Sequence, residues 1–254
     1  MPRTIVSSAN NPTIKRLIAL RDRRSVRQAE RLFIVEGPRF VWDAARSQTP
    51  AMLVGTAAAL DAWDIPEEID TVEVPDSLFL HVSDTKSPQG VLGVHAFPDL
   101  RPQSDLASLV VIADGIQDPG NLGTLVRSAV AFGGTQVICL KGTVDPWSPK
   151  VVRAAAGAHF LVPIEIRPQE DVQLDGLQVV IADEEATTPP FRINWLLPTA
   201  LVIGGEAHGV RTALRDLVHE AVSIPMDPRL DSLNAGIAAS VLLYEADRQR
   251  REQG

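Results

Sequence analysis

Leu109-Val110-Val111-Ile112-Ala113-Asp114-Gly115-Ile116-Gln117-Asp118-Pro119-Gly120-Asn121 is the stretch on which the fold turns. Its first five residues are apolar and mostly β-branched, which predicts a buried strand from Leu109 to Ala113. A loop with Gly and Pro ends it. Leu122, Leu125, Val126, Ala129 and Val130 then recur at helical spacing, with Asn121 placed to cap the helix they define. The same order repeats downstream. Strands are expected at Gln136 to Leu140, Val179 to Ala182, Ala200 to Ile203 and Ala221 to Ile224. Helices are expected to open at Ser148-Pro149, near Arg211 to His219, and from Leu233 to Arg250. Such alternation implies an α/β domain with a largely parallel sheet covered by helices on both faces. Ligands in such sheets bind beyond the carboxyl ends of strands.

Upstream the pattern is finer grained. Asn11-Pro12 opens a helix, Leu32 to Val35 reads as a strand and Pro38 to Ser47 as a helix. Met52 to Gly55, Thr71 to Val74 and Val91 to Ala96 read as strands, which makes a small α/β unit. Pro98 to Ser104 has the composition of a linker, so the domains are read as 1–98 and 106–254 with 99–105 between them. A chain of 254 residues, 45% hydrophobic and 22% charged, has apolar side chains enough for real cores and is not a disordered one. The first residues are polar and later apolar runs are short, so neither an export signal nor a membrane span is expected. The lone Cys139, inside an apolar run, reads as a buried structural thiol and suits a reducing cytoplasm.

A net charge of −8 argues against nucleic acid, because phosphate binding needs cations. Its distribution argues the other way: residues 1–50 hold ten Lys and Arg against four Asp and Glu, leaving −14 on the remaining 204. Lys15, Arg16, Arg23, Arg24 and Arg39 are the candidate RNA contacts, and a solvated helical face is the bland alternative, weighed about equally. Arg27 and Arg31 extend the same run.

Two further loops follow strands. Gly204-Gly205-Glu206-Ala207-His208-Gly209 permits close backbone approach, and Glu206 is either a plain helix-start carboxylate or a reactive one. Ile224-Pro225-Met226-Asp227-Pro228-Arg229-Leu230-Asp231-Ser232-Leu233-Asn234 is stiffened by two prolines, and Ser232 and Asn234 are either caps of the last helix or site residues. Gly236 sits inside that helix, where Gly costs about 1 kcal/mol relative to Ala, so a close partner helix is expected. Arg127 lies off the apolar stripe of its helix. No Gly-x-Gly-x-x-Gly occurs in the first loop, which disfavours an ordinary dinucleotide site. The five histidines and one cysteine lack ligand spacing, and Asp183, Glu184 and Glu185 read as a solvated loop, so no metal is expected.

Taken in order and spacing, Asp118-Pro119-Gly120-Asn121-Leu122-Gly123 with Arg127, Gly204-x-Glu206-x-x-Gly209, and Ile224-Pro225-Met226 with Ser232-Leu233-Asn234 resemble the SpoU or TrmH family of RNA ribose methyltransferases in the SPOUT class. Ser83-Asp84-Thr85-Lys86-Ser87-Pro88-Gln89-Gly90 upstream agrees with it. The resemblance covers Leu106 to the C-terminus, and more loosely the N-terminal part, which is similar to a ribosomal protein L30e-like RNA-binding domain. Departures are Ala207, where Gly is common, and Ala235-Gly236, where a bulkier pair is usual.

The resemblance implies a deep trefoil knot and S-adenosylmethionine as cofactor, held by Gly204, Gly205, Ile224, Met226, Ser232 and Leu233. It further implies catalysis by Arg127 with Asn121, Glu206, Ser232 and Asn234, on a 2'-hydroxyl of structured RNA, ribosomal RNA before transfer RNA. A homodimer through the knotted domain is implied as well, with Gly236 at its interface. Family usage makes Arg127 the general base. Chemistry favours a charged guanidinium that grips phosphate and stabilises a developing alkoxide, with Glu206 or a phosphate taking the proton. The rival readings are an RNA-binding protein without catalysis and a nucleotide-dependent enzyme unrelated to RNA.

Overall fold

The computed structural model describes residues 3–102, 108–206, 209–211, 214, 217–230 and 232–253. They form two compact units, the first of residues 1–99 with 147–160 and the second of residues 100–146 with 161–254.

In the first unit the strands β1 (Thr4–Ile5), β2 (Leu32–Glu36), β3 (Met52–Gly55), β4 (Thr71–Glu73) and β5 (Val91–Ala96) form a mixed sheet in the order β1-β4-β3-β5-β2. Helix α1 (Pro12–Asp22) starts where Asn11 Oδ1 accepts from Thr13 N at 2.8 Å, with Pro12 in the first turn. Its apolar stripe, Ile14, Leu17 and Leu20, packs on Ile34, Val54, Val72, Leu92 and Val94. Helices α2 (Arg24–Glu30), α4 (Ala57–Asp61) and α5 (Asp76–Val82) are short elements that the periodicity did not reveal, whereas α3 (Pro38–Ser47) falls where expected. Arg27 belongs to the interior: its guanidinium donates to Leu20 O at 2.6 Å and Arg21 O at 2.8 Å and so closes the end of α1. The Ser83–Gly90 loop is built on Glu36, whose carboxylate accepts from Ser83 Oγ at 2.5 Å, Thr85 Oγ1 at 2.7 Å and Asp84 N at 3.0 Å.

Residues 147–160, expected in the second domain, pack into this first unit. Their helix α7 (Pro149–Ala155) begins at Ser148-Pro149 as the sequence predicts and contacts β2. The cause is aromatic burial: Trp147 stacks on Phe97 with centroids 4.0 Å apart, and Phe33 meets Trp147 at 5.0 Å and Phe160 at 5.5 Å.

His95 completes that cluster. It stands opposite Phe33 in the β2–β5 register, is fully buried, and neither ring nitrogen has a hydrogen-bond partner among the described residues. Gly93 makes room for it, since a Cβ there would lie 2.9 Å from His95 Nε2. Burial pushes the imidazole down from 6.5 to about 4. The unfolded chain therefore binds this proton more readily. Stability from His95 is complete above pH 6.5 and is lost as pH falls toward 4. Denaturant midpoints between pH 7 and 4 should fall less steeply in His95→Leu than in the parent chain, and equal slopes would contradict this account.

The second unit carries a wholly parallel six-stranded sheet of β6 (Leu109–Asp114), β7 (Gln136–Leu140), β8 (Ile164–Arg167), β9 (Gln178–Ala182), β10 (Thr199–Gly204) and β11 (Glu220–Val222). The spatial order is β11-β9-β10-β6-β7-β8. β6, β7 and most of β10 are buried throughout, which is why they read as apolar runs rather than alternating ones. Cys139 is buried within β7. β8 was not foreseen, and β11 ends two residues before the expected Ile224. Positions 212, 213, 215 and 216 of the helix expected near Arg211 to His219 lie outside the described residues. Helix α6 (Pro119–Ala131) follows β6, and α8 (Ala235–Gln253) ends the unit and packs on α6.

Candidate active site

The carboxyl ends of β9, β10 and β11 open into a cavity of about 550 Å³. Gly204, Gly205 and Glu206 line it from the loop after β10, Ile224 and Met226 from the loop after β11, and Ser232, Leu233 and Asn234 from the approach to α8. All six residues expected to hold a cofactor thus face one space, together with Glu206 and Asn234. Ile203, Val222, Ala238 and Leu242 supply an apolar floor. Asp183, Glu184 and Glu185 line the cavity too, rather than standing as a loop apart. Val222 O accepts from Asp183 N at 3.0 Å, so β11 draws this loop to the cavity mouth.

Glycine at 204 and 205 has a steric cause. A Cβ on Gly204 would stand 2.2 Å from the Gly209 carbonyl carbon, and one on Gly205 would stand 2.3 Å from Gly115 O. The loop after β10 therefore presses backbone to backbone on the loop after β6. Gly205 N also donates to Asp114 O at 2.8 Å. Asp114 locks the join, because its carboxylate, wholly inaccessible to solvent, accepts from Arg211 N at 2.8 Å and Arg211 Nε at 2.5 Å. Nothing in the local sequence around either residue signals this pair. Ala207 and His208 lie outside the described residues.

Asn121 does not cap α6. Asp118 does, accepting from Asn121 N at 2.8 Å, and the helix starts at Pro119. A short acidic side chain just ahead of Pro in the first turn satisfies the orphan amides better than a residue already inside the helix. The Asn121 side chain is thereby left for other partners. Its Oδ1 accepts from Asn234 Nδ2 at 2.6 Å, and its Nδ2 donates to Glu206 Oε1 at 2.5 Å. Asn234 caps α8, accepting from Gly236 N at 2.9 Å and Ile237 N at 3.2 Å, while Ser232 lies in the cavity wall. The space at Gly236 is taken by α6 of the same chain: a Cβ would meet Asn121 O and Thr124 Cβ, each at 3.0 Å. That seam continues in Ser128 Oγ and Ser240 Oγ, 2.7 Å apart, and in the edge contact of Phe132 with Tyr244.

Arg127 is exposed on α6 and is not part of the cavity lining. The five candidate RNA contacts are all exposed in the first unit. Lys15, Arg16, Arg23 and Arg24 stand on or between α1 and α2, Arg16 paired with Glu30 through its Nε at 2.7 Å. Arg39 is on α3, whose Phe40 lies with Val35 and Val152 rather than in the α1 cluster. Among the described residues no group of three or more His, Cys, Asp or Glu is arranged to hold a metal ion, and no helix is long and apolar enough to cross a membrane.

The stretch that carries these loops, residues 108–244, matches the model of the SpoU rRNA Methylase family. The chain belongs to that family. Residues 11–93 match the MRM3-like substrate binding domain. Among SpoU relatives, the mouse mitochondrial rRNA methyltransferase 3 is 31% identical over 90% of this chain and 70% of its own. The Bacillus subtilis 23S rRNA (guanosine(2553)-2'-O)-methyltransferase RlmP is 29% identical over 94% and 97%. Of solved structures, the AdoMet-bound rRNA methyltransferase from Sinorhizobium meliloti is 31% identical and superposes with a TM-score of 0.83 over 97% of this chain and 98% of its own. The SpoU methyltransferase AviRb from Streptomyces viridochromogenes, in complex with AdoMet, is 28% identical with a TM-score of 0.83 over 95% and 99%. The likeness to these two structures thus takes in residues of both units.

Proposed function

We propose that this SpoU-family chain transfers a methyl group from S-adenosylmethionine to a ribose 2'-hydroxyl in structured RNA, with ribosomal RNA as the substrate. The observation that carries the reading is the cavity into which two loops, the one after β10 and the one between β11 and α8, bring Gly204, Glu206, Ile224, Met226, Ser232 and Asn234. Its volume lies in the range of cofactor sites. Asp183, Glu184, Glu185 and Glu206 face it, and no Lys, Arg or His is among its described lining residues, which suits a ligand of net positive charge. The Ile203, Val222 and Leu242 side chains offer a face for adenine.

Bound there, S-adenosylmethionine supplies an electrophilic methyl carbon on a sulfonium. The residues of this chain do the rest: Gly204, Gly205, Ile224, Met226, Ser232 and Leu233 hold and orient it. Asn121, Glu206, Ser232 and Asn234 shape the reacting corner. Arg127 grips RNA phosphate through its guanidinium and stabilises charge on the attacking oxygen. No metal is needed for displacement at a sulfonium.

Domain roles follow the same reading. Residues 1–98, with 147–160 packed among them, bind the substrate through Lys15, Arg16, Arg23, Arg24 and Arg39 on an L30e-like fold, 99–105 link, and the rest of 106–254 forms a trefoil-knotted methyltransferase domain. A homodimer is supported by Ile237, Val241 and Tyr244, spaced i, i+4, i+7 and exposed along α8. A reducing cytoplasm suits the buried Cys139. Transfer RNA as substrate, or RNA binding without turnover, are the alternatives. Incubation with radiolabelled S-adenosylmethionine and either ribosomal or transfer RNA separates them: label is expected in ribosomal RNA, at a nucleotide that resists alkaline cleavage because its 2'-oxygen is blocked. Label on a base, or none with any RNA, would overturn the proposal.

A further inference from the structure

The four tryptophans of the chain are not alike. Trp147 and Trp195 are buried, whereas Trp42 on α3 keeps 40% of its surface open to solvent. Its ring meets that of Trp63, just beyond α4, edge to face, with centroids 4.9 Å apart and planes at 85°. Arg39 and Arg46, at i−3 and i+4 from Trp42, share its stripe of α3, and both are exposed. Arg46 Cζ lies 5.9 Å from the Trp42 centroid, within cation–π reach. Chain topology sets this group apart from the other cations of the unit. The β2–α3–β3 and β3–α4–β4 crossovers step one way along the sheet and β1–α1–β2 steps the other, so right-handed connections put α3 and α4 on the face opposite α1. The buried residues agree, since Val41 and Ala44 of α3 are absent from the cluster that α1 forms with Ile34, Val54 and Leu92. Lys15, Arg16, Arg23 and Arg24 thus lie on one side of the first unit, and Arg39, Trp42 and Arg46 on the other.

We propose that Trp42, braced by Trp63 and flanked by Arg39 and Arg46, stacks an unpaired base of the substrate RNA, an inference that rests on the functional reading above. A duplex hides the faces of its bases, so an exposed ring of this kind serves a single-stranded loop, bulge or end. Every base has such a face, and the two guanidinium groups are placed to take the phosphates on either side of it. Trp63 holds the ring in one orientation before RNA arrives, which lowers the ordering cost of binding. Charge favours one path across the pair. Asp43 faces Arg39 at 3.9 Å, and Asp61 is taken up by Arg3 at 2.5 Å. The turn beyond Trp63 carries Asp64, Glu67 and Glu68, which repel phosphate and so place the RNA backbone along α3.

Radiolabelled poly(U), and the duplex of poly(A) with poly(U), are the probes, bound to the full-length chain at fixed salt and read by filter binding. Poly(U) should also quench tryptophan emission, and with Trp147 and Trp195 buried the quenched rings are Trp42 and Trp63. Trp42→Leu should weaken poly(U) about tenfold, within the range of one lost base stack, and the duplex less than about twofold. Trp42→Phe keeps a ring and should restore most of the affinity. Arg39→Gln combined with Arg46→Gln should weaken poly(U) and flatten its log–log salt dependence by about one unit, with the unfolding midpoint unchanged. Parent-like poly(U) affinity in Trp42→Leu would overturn the proposal, as would an equal loss on the duplex. A change of oligomeric state in Trp42→Leu with RNA binding intact would give the patch to a second copy of the chain instead. Should Trp42→Leu also lower the unfolding midpoint, Trp42→Phe and the arginine pair decide: no rescue by the one and no loss in the other would end the idea. A chain that binds poly(U) through Trp42 but methylates no RNA loses the functional reading and keeps the stacking site. One that methylates RNA while Trp42→Leu binds as the parent does loses the stacking site alone.

Discussion

Arg211→Ala is expected to destabilise the second unit by about 3 kcal/mol, the low end of the cost of stranding one member of a buried ion pair. The two partners are not equivalent. Asp114 has no solvent access, whereas the Arg211 side chain is 39% exposed. Removing the guanidinium leaves a carboxylate deep in the sheet edge with the backbone N–H of residue 211 as its remaining partner from that loop. Removing the carboxylate instead leaves a guanidinium that water can reach, so Asp114→Ala should cost less through charge, even though it loses the anchor of the loop. Arg211→Lys should fall between, since an ammonium keeps the charge but cannot copy the paired approach to one carboxylate. Denaturant unfolding followed through the buried Trp195 reads the effect in this unit. A cost under about 1 kcal/mol for Arg211→Ala would mean that the pair does not hold the loop. The functional effect should track the structural one, because Gly204, Gly205 and Glu206 enter the cavity from the segment this pair secures.

Arg127→Ala is expected to lower methylation by about a hundredfold or more, as for other groups that stabilise charge on a reacting oxygen. S-adenosylhomocysteine binding should change less than twofold. The contrast follows from position: Arg127 is exposed on α6 and takes no part in the cavity wall. Arg127→Lys separates charge from shape, since a lysine that restored most of the rate would show that a point charge suffices. Turnover near that of the parent chain in Arg127→Ala would remove this residue from the mechanism. A parallel loss of cofactor affinity would mean instead that it shapes the cavity.

The parallel sheet was legible because fully buried strands announce themselves as short apolar runs: Leu109–Asp114, Gln136–Leu140 and Thr199–Gly204 are buried at nearly every position. β8 escaped because Ile164-Glu165-Ile166-Arg167 is an edge strand of four half-buried residues, too short for a period to register. The loops that line the cavity were legible through residue types, Gly and Pro after apolar runs, together with their order and spacing. What the residues could not disclose were contacts made by distant single side chains. Asp114 and Arg211 are 97 positions apart. Asp183, Glu184 and Glu185 face the cavity only because β11 returns beside β9. Arg27 looked like one more cation of a basic run, yet the turn between α1 and α2 folds it inward onto carbonyl oxygens. The basic run is accordingly a mixture of structural and exposed members.

One packing detail bears on how the chain is made. The aromatic group around Phe33 and His95 lacks Trp147, His159 and Phe160 until some fifty residues beyond the first unit's last strand have been synthesised, β6 and β7 among them. On the ribosome the amino-terminal half thus waits with the patch around Phe33 and His95 uncovered and adhesive while the next half begins to assemble. A proteolytic or genetic cut placed at residue 98 would preserve that unfinished condition. Dissecting the two activities by trimming the chain there would consequently yield a sticky fragment rather than an autonomous module.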